Sequence, residues 1–192
     1  EKGWNENLND YIKTKDTNSL IPKFVRKGKP VRIGGKKYIY PNHNDFETNF
    51  VTVLRLFLFN RHFKNLSTIY EFGCGTGLNL VALANLFPDI NLYGSDWSKS
   101  SIEILKMLKQ KDGYNIHGHL FDMFHPDYNL NIDDKCGFLT IGAMEQLGKD
   151  YKQFLKFILH KKPKVVINIE TIYELYDENT LFDYAPKRYL EV

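Results

Sequence analysis

Glu71, Gly73, Cys74, Gly75 and Gly77 stand in the run Glu-Phe-Gly-Cys-Gly-Thr-Gly, an acid followed by three alternating glycines. The run lies between the apolar pair Ile69-Tyr70 and the apolar stretch 78–84, so it falls where a strand turns into a helix. Glycine at such a place lets the backbone approach a ligand closely and adopt dihedrals that a Cβ forbids. The helix start behind it offers unpaired N–H groups. These are the parts of a cofactor loop. A dinucleotide fingerprint spaces its glycines Gly-x-Gly-x-x-Gly, whereas this loop runs Gly-x-Gly-x-Gly with Glu71 two places ahead.

Such a loop has to be held by a strand in front and a helix behind. From residue 68 onward, short β-type runs alternate with helix-period segments, the pattern of a parallel sheet flanked by helices. Strands are expected at 68–72, 90–95, 115–121, 137–141 and 164–169. Between them, 78–87 reads as a buried helix stopped by Pro88. A second helix, 98–111, is capped by Ser98 and turns Ile102, Leu105 and Leu108 inward; a third, 151–159, does so with Phe154, Leu155 and Ile158. Upstream, Asn44 and Glu47 have capping-box spacing. The helix they would open carries Phe46, Phe50, Val53, Leu54, Phe57 and Leu58 on one apolar face, expected to pack on the sheet. Residues 1–43 read as an arm or lid on the main unit at 44–192, with a small hairpin of Val31-Arg32-Ile33 and Tyr38-Ile39-Tyr40 about Gly34-Gly35.

The Glu71 to Gly77 run resembles motif I of the class I S-adenosylmethionine-dependent methyltransferases, and the resemblance extends over residues 45–170. It implies an α/β, Rossmann-like parallel sheet with flanking helices. Members of that family usually finish with an antiparallel strand pair after the fifth strand. Here 177–190 reads as helical or irregular, so the C-terminal strands are expected to be incomplete. The chain starts Glu1-Lys2-Gly3-Trp4, with no signal-peptide pattern and no initiator Met, and is expected to be trimmed.

The resemblance also assigns roles. Asp96, at the end of the second strand, matches the acid whose carboxylate accepts hydrogen bonds from the ribose diol. Trp97 matches the bulky residue that lies against the adenine. Asp122 and Met123, after the third strand, match the aspartate that accepts from the adenine amino group and the backbone N–H that follows. Gly142, after the fourth strand, falls where the family runs along the methionine part and opens toward the acceptor. The implied cofactor is S-adenosylmethionine, leaving S-adenosylhomocysteine.

Methyl transfer from a sulfonium needs alignment and exclusion of water more than a catalytic triad. An oxygen acceptor also calls for a base. Glu145, Glu170 and His125, at carboxyl ends of strands, are the candidates, with His43 behind them; His117 and His119 read as structural. No Asn/Asp-Pro-Pro-Tyr signature follows the fourth strand, and no histidine-carboxylate cluster points to a metal. With 26 basic against 23 acidic residues, charge alone selects no polyanionic partner. The lysines at 106, 109, 111, 161, 162 and 164 read as solvated faces. A small polar or sugar-like metabolite methylated on oxygen or nitrogen is therefore the expected acceptor. An RNA or protein substrate held by the basic arm at 23–37, and a non-catalytic S-adenosylmethionine-binding module, are the alternatives. Two cysteines without disulfide or metal spacing and no apolar run of membrane length point to the cytoplasm and to no membrane partner.

Overall fold

The computed structural model describes residues 2–25, 27–33 and 37–190. Helix α1 (Lys2–Thr14) is followed by a short 3-10 turn (Thr17–Leu20) and a ribbon of β1 (Val31–Ile33) and β2 (Lys37–Ile39). The ribbon is antiparallel, with Val31 opposite Ile39. Its expected Gly34-Gly35 turn lies outside the described residues. Then come α2 (Phe46–His62), β3 (Thr68–Phe72), α3 (Leu78–Leu86), β4 (Asn91–Asp96), α4 (Lys99–Asp112) and β5 (Ile116–Leu120). β6 (Cys136–Ile141), α5 (Tyr151–Lys161), β7 (Val165–Ile169) and α6 (Leu181–Tyr189) complete the order.

β3 to β7 form one parallel sheet in the order β5-β4-β3-β6-β7, a Rossmann-like arrangement. β3 is central and buried along its whole length, as an apolar strand covered on both faces must be. The period of two sorts its side chains. Ile69 joins a core built with Tyr11, Phe59, Leu80, Leu83, Ile104 and Leu108 from α1 to α4. Tyr70 and Phe72 join an aromatic core on the other side with Phe121, Phe138 and, from α5, Phe154 and Phe157. The strand order reverses between β3 and β6, which leaves a crevice at their carboxyl ends, and the glycine run at the end of β3 sits there.

The expected strands fall within a residue of those observed. Several helix details differ. α2 starts at Phe46 with Asp45 at its cap and no side-chain capping bond, so the expected box is not formed. Its inward residues are Arg55 and Phe59, while Phe50 is 61% and Phe57 58% exposed. The expected apolar face thus points largely outward. Phe59 and Phe63 stack together, and a Cβ at Gly137 of β6 would stand 2.9 Å from Phe63. A glycine hole and a polar anchor at Arg55 therefore set the rotation of this helix. In α5, Phe157 replaces Leu155 in the core. In α4, Ile104 and Met107 are buried beside Leu105 and Leu108, and Ser98 makes no side-chain cap. Helix α1 had no counterpart in the sequence reading. Among the described residues no strand follows β7, and no helix is long and apolar enough to cross a membrane.

Gly77 shows how tightly the loop is fitted to the core. Its φ is +76°, and a Cβ there would stand 2.4 Å from Leu105 Cδ2. Gly77→Ala is expected to lower stability by about 1–3 kcal/mol, read as a fall in the urea midpoint at unchanged slope.

Candidate active site

Three left-handed glycines turn the chain out of β3: Gly73 (φ 70°), Gly75 (φ 53°) and Gly77 (φ 76°). The N–H groups of Gly73 and Cys74 donate to the Ser95 carbonyl at 2.8 and 3.1 Å, which ties the loop to β4. Asp96, at the end of β4, completes the tie. Its Oδ2 accepts from the Gly75 N–H at 2.9 Å and its Oδ1 from the Ser98 N–H at 2.8 Å. Burial raises the Asp96 pKa, and those two N–H groups pull against it. The carboxylate that the sequence reading gave to a ligand is thus also a fastener of the loop and the start of α4.

Glu71 is 1% exposed inside the sheet. Its Oε1 accepts from Asn79 Nδ2 at 2.5 Å, and Arg55 Nη1 donates to Asn79 Oδ1 at 2.6 Å. Asn79 thereby relays between a buried cation and a buried acid. Glu71 Oε2 and Arg55 Nε are buried without a hydrogen-bond partner. Burial pushes Glu71 up to about 8, against the pull of Asn79 and Arg55 and with Asp96 adding to the rise. Cys74 is buried beside these acids and its thiol is held well above its ordinary value, so it stays a thiol.

The remaining predicted positions divide. Trp97 is 67% exposed, an open aromatic face next to Asp96. Met123 is buried, with Sδ 3.9 Å from where a Gly73 Cβ would stand. Asp122 Oδ1 accepts from the Phe124 N–H at 2.8 Å and its Oδ2 faces His125 Nδ1 at 2.8 Å. Burial alone would raise Asp122; these partners outweigh it and leave the group below its ordinary value. His125 is well exposed and lines a cavity with Phe124, Tyr128 and Gln153.

Glu145 and Glu170 come together in a different way. Glu170 Oε2 accepts from the backbone N–H of Ala143 at 3.0 Å and of Glu145 at 3.2 Å. Glu145 Oε2 in turn accepts from the Thr171 N–H at 2.6 Å. Each carboxylate holds the backbone of the other's loop. Burial raises Glu170. Ala143 reaches the glycine loop, its Cβ 2.3 Å from the position a Gly73 Cβ would take. Gly142 (φ 61°) has open space there. His117 and His119 lie on the edge strand, where burial lowers both; His117 is 3.0 Å from Lys109 Nζ. Among the described residues no group of three His, Cys, Asp or Glu converges as a metal site would.

Three residues at the site were missed. Arg55 had a visible signal, a lone cation in the apolar run 50–59. Asn79 had the weaker one of an amide in a buried helix. Trp4 had none: its ring lies 3.0 Å from the position of a Gly75 Cβ, and Thr76 donates to the Leu20 carbonyl at 2.6 Å, so α1 and its turn cover the loop.

The fold is that of the class I methyltransferases. The plantazolicin methyltransferase BpumL in complex with SAH matches with a TM-score of 0.53 at 16% identity, over 76% of this chain and 58% of that one. BpumL with a monoazolic desmethylPZN analog and SAH gives 0.52 at 17% identity, over 74% and 55%. StiE O-MT residues 942-1257 gives 0.50 at 20% identity, over 60% and 41%. The chain therefore spans little more than half the length of BpumL. No family model matches the sequence, and no curated protein does.

Glu71 couples stability to pH. The folded state holds its proton more tightly than the unfolded chain does, so its contribution is complete below the unfolded value of 4.5 and is lost as pH rises through about 8. Wild-type stability is expected to fall between those values by up to a few kcal/mol. Glu71→Gln, which keeps the oxygen that Asn79 uses, should flatten that fall in denaturation curves recorded across the same range. An unchanged slope would mean that Glu71 is ionised in the fold.

Proposed function

We propose that the chain is an S-adenosylmethionine-dependent methyltransferase that methylates oxygen or nitrogen of a small polar acceptor. The observation that carries this reading is the left-handed turn at Gly75, covered by Trp4 and flanked by Asp96 and by a buried Glu71 with an orphaned oxygen. Buried polar atoms without partners are rare in native proteins, and each calls for an explanation such as a functional role or a bound water, ion or ligand atom. S-adenosylmethionine fits these residues, with its polar amino-acid end toward Glu71 and Arg55, a ribose diol for Asp96 and an adenine for Trp97. When bound it supplies a methyl group on a positively charged sulfur, already activated for displacement.

The residues then divide the work. Gly73 and Gly75 give backbone access; Gly142 does the same from the end of β6. Asp96 orients the ribose while fastening the loop. Asp122, held by His125, and the Met123 N–H meet the adenine edge. Glu145 is the acceptor-side carboxylate, and Glu170 acts as a positioning group, since its occupied Oε2 holds the loop of Glu145. Residues 1–43 serve as a lid: Trp4 faces Gly75, and Asn7, fully buried, donates to the Ser19 and Ile21 carbonyls at 2.6 and 2.9 Å to keep the lid folded.

A small acceptor is favoured over nucleic acid because two of the lysines that would form a basic track, Lys161 and Lys109, are engaged in the fold. Lys161 donates to the Tyr128 and Leu130 carbonyls at 2.6 Å each, and Lys109 meets His117. Two free, buried thiols support a cytoplasmic location.

Calorimetry should register S-adenosylhomocysteine and not NAD(H); the reverse would end the reading. Asp96→Asn, which keeps one acceptor for the backbone, should weaken S-adenosylhomocysteine by about 1.5–3 kcal/mol, the range for a hydrogen bond to a charged group. The lid has its own readout because the chain has two tryptophans, Trp4 and Trp97. In Trp97→Phe the emission comes from Trp4 alone, and it should change on titration with S-adenosylhomocysteine. A silent Trp4 in a variant that still binds would remove the lid from the donor site.

A further inference from the structure

A cavity of about 400 Å³ opens at the carboxyl ends of β6 and β7, within the range of small-ligand sites. Glu145 and Thr171 come from the strand ends; Tyr176, Pro186, Tyr189 and Leu190 come from the segment after β7. Glu145 is two residues beyond Ala143, which touches the glycine loop, so the cavity adjoins the proposed donor site.

Its charge is one-sided. Glu145 is the single ionisable acid or base other than tyrosine among the lining residues. One of its oxygens takes the Thr171 N–H at 2.6 Å and its own N–H is held by Glu170, which fixes the backbone and leaves the other oxygen to a ligand. Nearby cations are already engaged. Arg32 pairs with buried Asp183 at 3.1 Å, and Lys187 lies 3.8 Å from Glu178. An anionic ligand would meet a carboxylate with no free cation beside it among the described residues, a costly arrangement.

The aromatic walls suit the opposite sign. Rings of this segment hold cations elsewhere: outside the cavity Lys187 lies over Tyr173 at 5.2 Å and Arg188 over Tyr184 at 5.4 Å, and of the lining rings Tyr176 already carries Arg32 at 4.5 Å, so Tyr189 is the ring offered to a ligand. A ring face attracts a cation through its quadrupole, and more so where water is displaced. The wall is held in place from outside. Asp183 of α6 accepts from Tyr38 Oη, from Arg32 and from the Asp177 N–H at 3.0 Å, so the ribbon of β1 and β2 clamps α6 against the strand ends.

We infer that this cavity recognises an organic ammonium group carried on an apolar or aromatic body, with Glu145 as its counter-ion and the ring of Tyr189 beside it. The methyl acceptor is accordingly an amine-bearing metabolite, the ammonium serving as the handle by which it is held. That last step rests on the methyltransferase reading; the recognition of the cation does not.

Three probes of one shape test it: 2-phenylethylamine, 2-phenylethanol and 3-phenylpropionate, titrated by ligand-observed NMR into the full chain with and without saturating S-adenosylhomocysteine. The amine is expected to bind, the alcohol about tenfold more weakly, as for loss of a charge-assisted hydrogen bond, and the carboxylate not at all. Glu145→Gln keeps an acceptor for the Thr171 N–H. It should weaken the amine about tenfold while leaving S-adenosylhomocysteine affinity within about twofold. Tyr189→Leu, at an exposed position, should weaken the amine severalfold. Equal binding of the three probes, binding of none, or an amine affinity indifferent to Glu145→Gln overturns the inference. If S-adenosylhomocysteine fails to bind while the amine binds and responds to Glu145→Gln, the donor reading falls and the cation site stands.

Discussion

The grip of Asp96 on two backbone N–H groups is the constraint on which the site is built. Three glycines in the left-handed region make a turn that offers little side-chain packing of its own, so the turn needs an external tie. Asp96 supplies it through the Gly75 N–H, and the Ser95 carbonyl adds the N–H groups of Gly73 and Cys74. With the turn fixed, α3 leaves at an angle that brings Gly77 against Leu105, and Gly94 on β4 leaves room for Leu80 and Leu105. The first crossover of the sheet thus depends on contacts at one glycine loop.

That arrangement puts two carboxylates at neighbouring strand ends in a dry place, and they reach different solutions. Asp96 is compensated by two N–H donors, which favour its charged form even as burial opposes it. Glu71 has one amide, and the cation behind that amide, Arg55, is itself lowered by burial. At neutral pH the balance favours a protonated Glu71, so the buried site avoids carrying charge on both acids. The Arg55–Asn79–Glu71 relay therefore works as a polar lock between α2, α3 and β3 more than as an ion pair.

The sheet was legible in the sequence because its signals are local. Apolar runs bounded by turn residues marked each strand, and the glycine spacing marked the crevice. The failures came where distant residues overruled local pattern. α2 carries an apolar stripe through Phe50, Val53 and Phe57, which by area alone would turn inward. Its rotation is set instead by Arg55 finding Asn79, 24 residues away, and by Phe63 entering the hole above Gly137. Likewise α1 has too few apolar residues to be read as a core helix. It is fixed by single buried positions, Asn7 and Tyr11, the latter donating to Asp112, 101 residues on.

The same contrast separates the two halves of the site. The donor side is one continuous turn plus an acid a short way along, so its residue types and spacing are constrained together and can be read as a motif. The proposed acceptor side is held by an exchange between loops: Glu170 satisfies the N–H groups of Ala143 and Glu145, and Glu145 satisfies that of Thr171. Nothing in the spacing of 145 and 170 announces that exchange, because each partner needs only a carboxylate at a strand end. The further wall, from Tyr176 to Leu190, depends on Asp183 meeting Arg32, across 151 residues. A pocket assembled from such long-range pairs can change its ligand by changing one side chain while the sheet and the glycine loop stay as they are. The proposed donor loop is therefore written locally in this fold, and the pocket beside it is written in tertiary contacts.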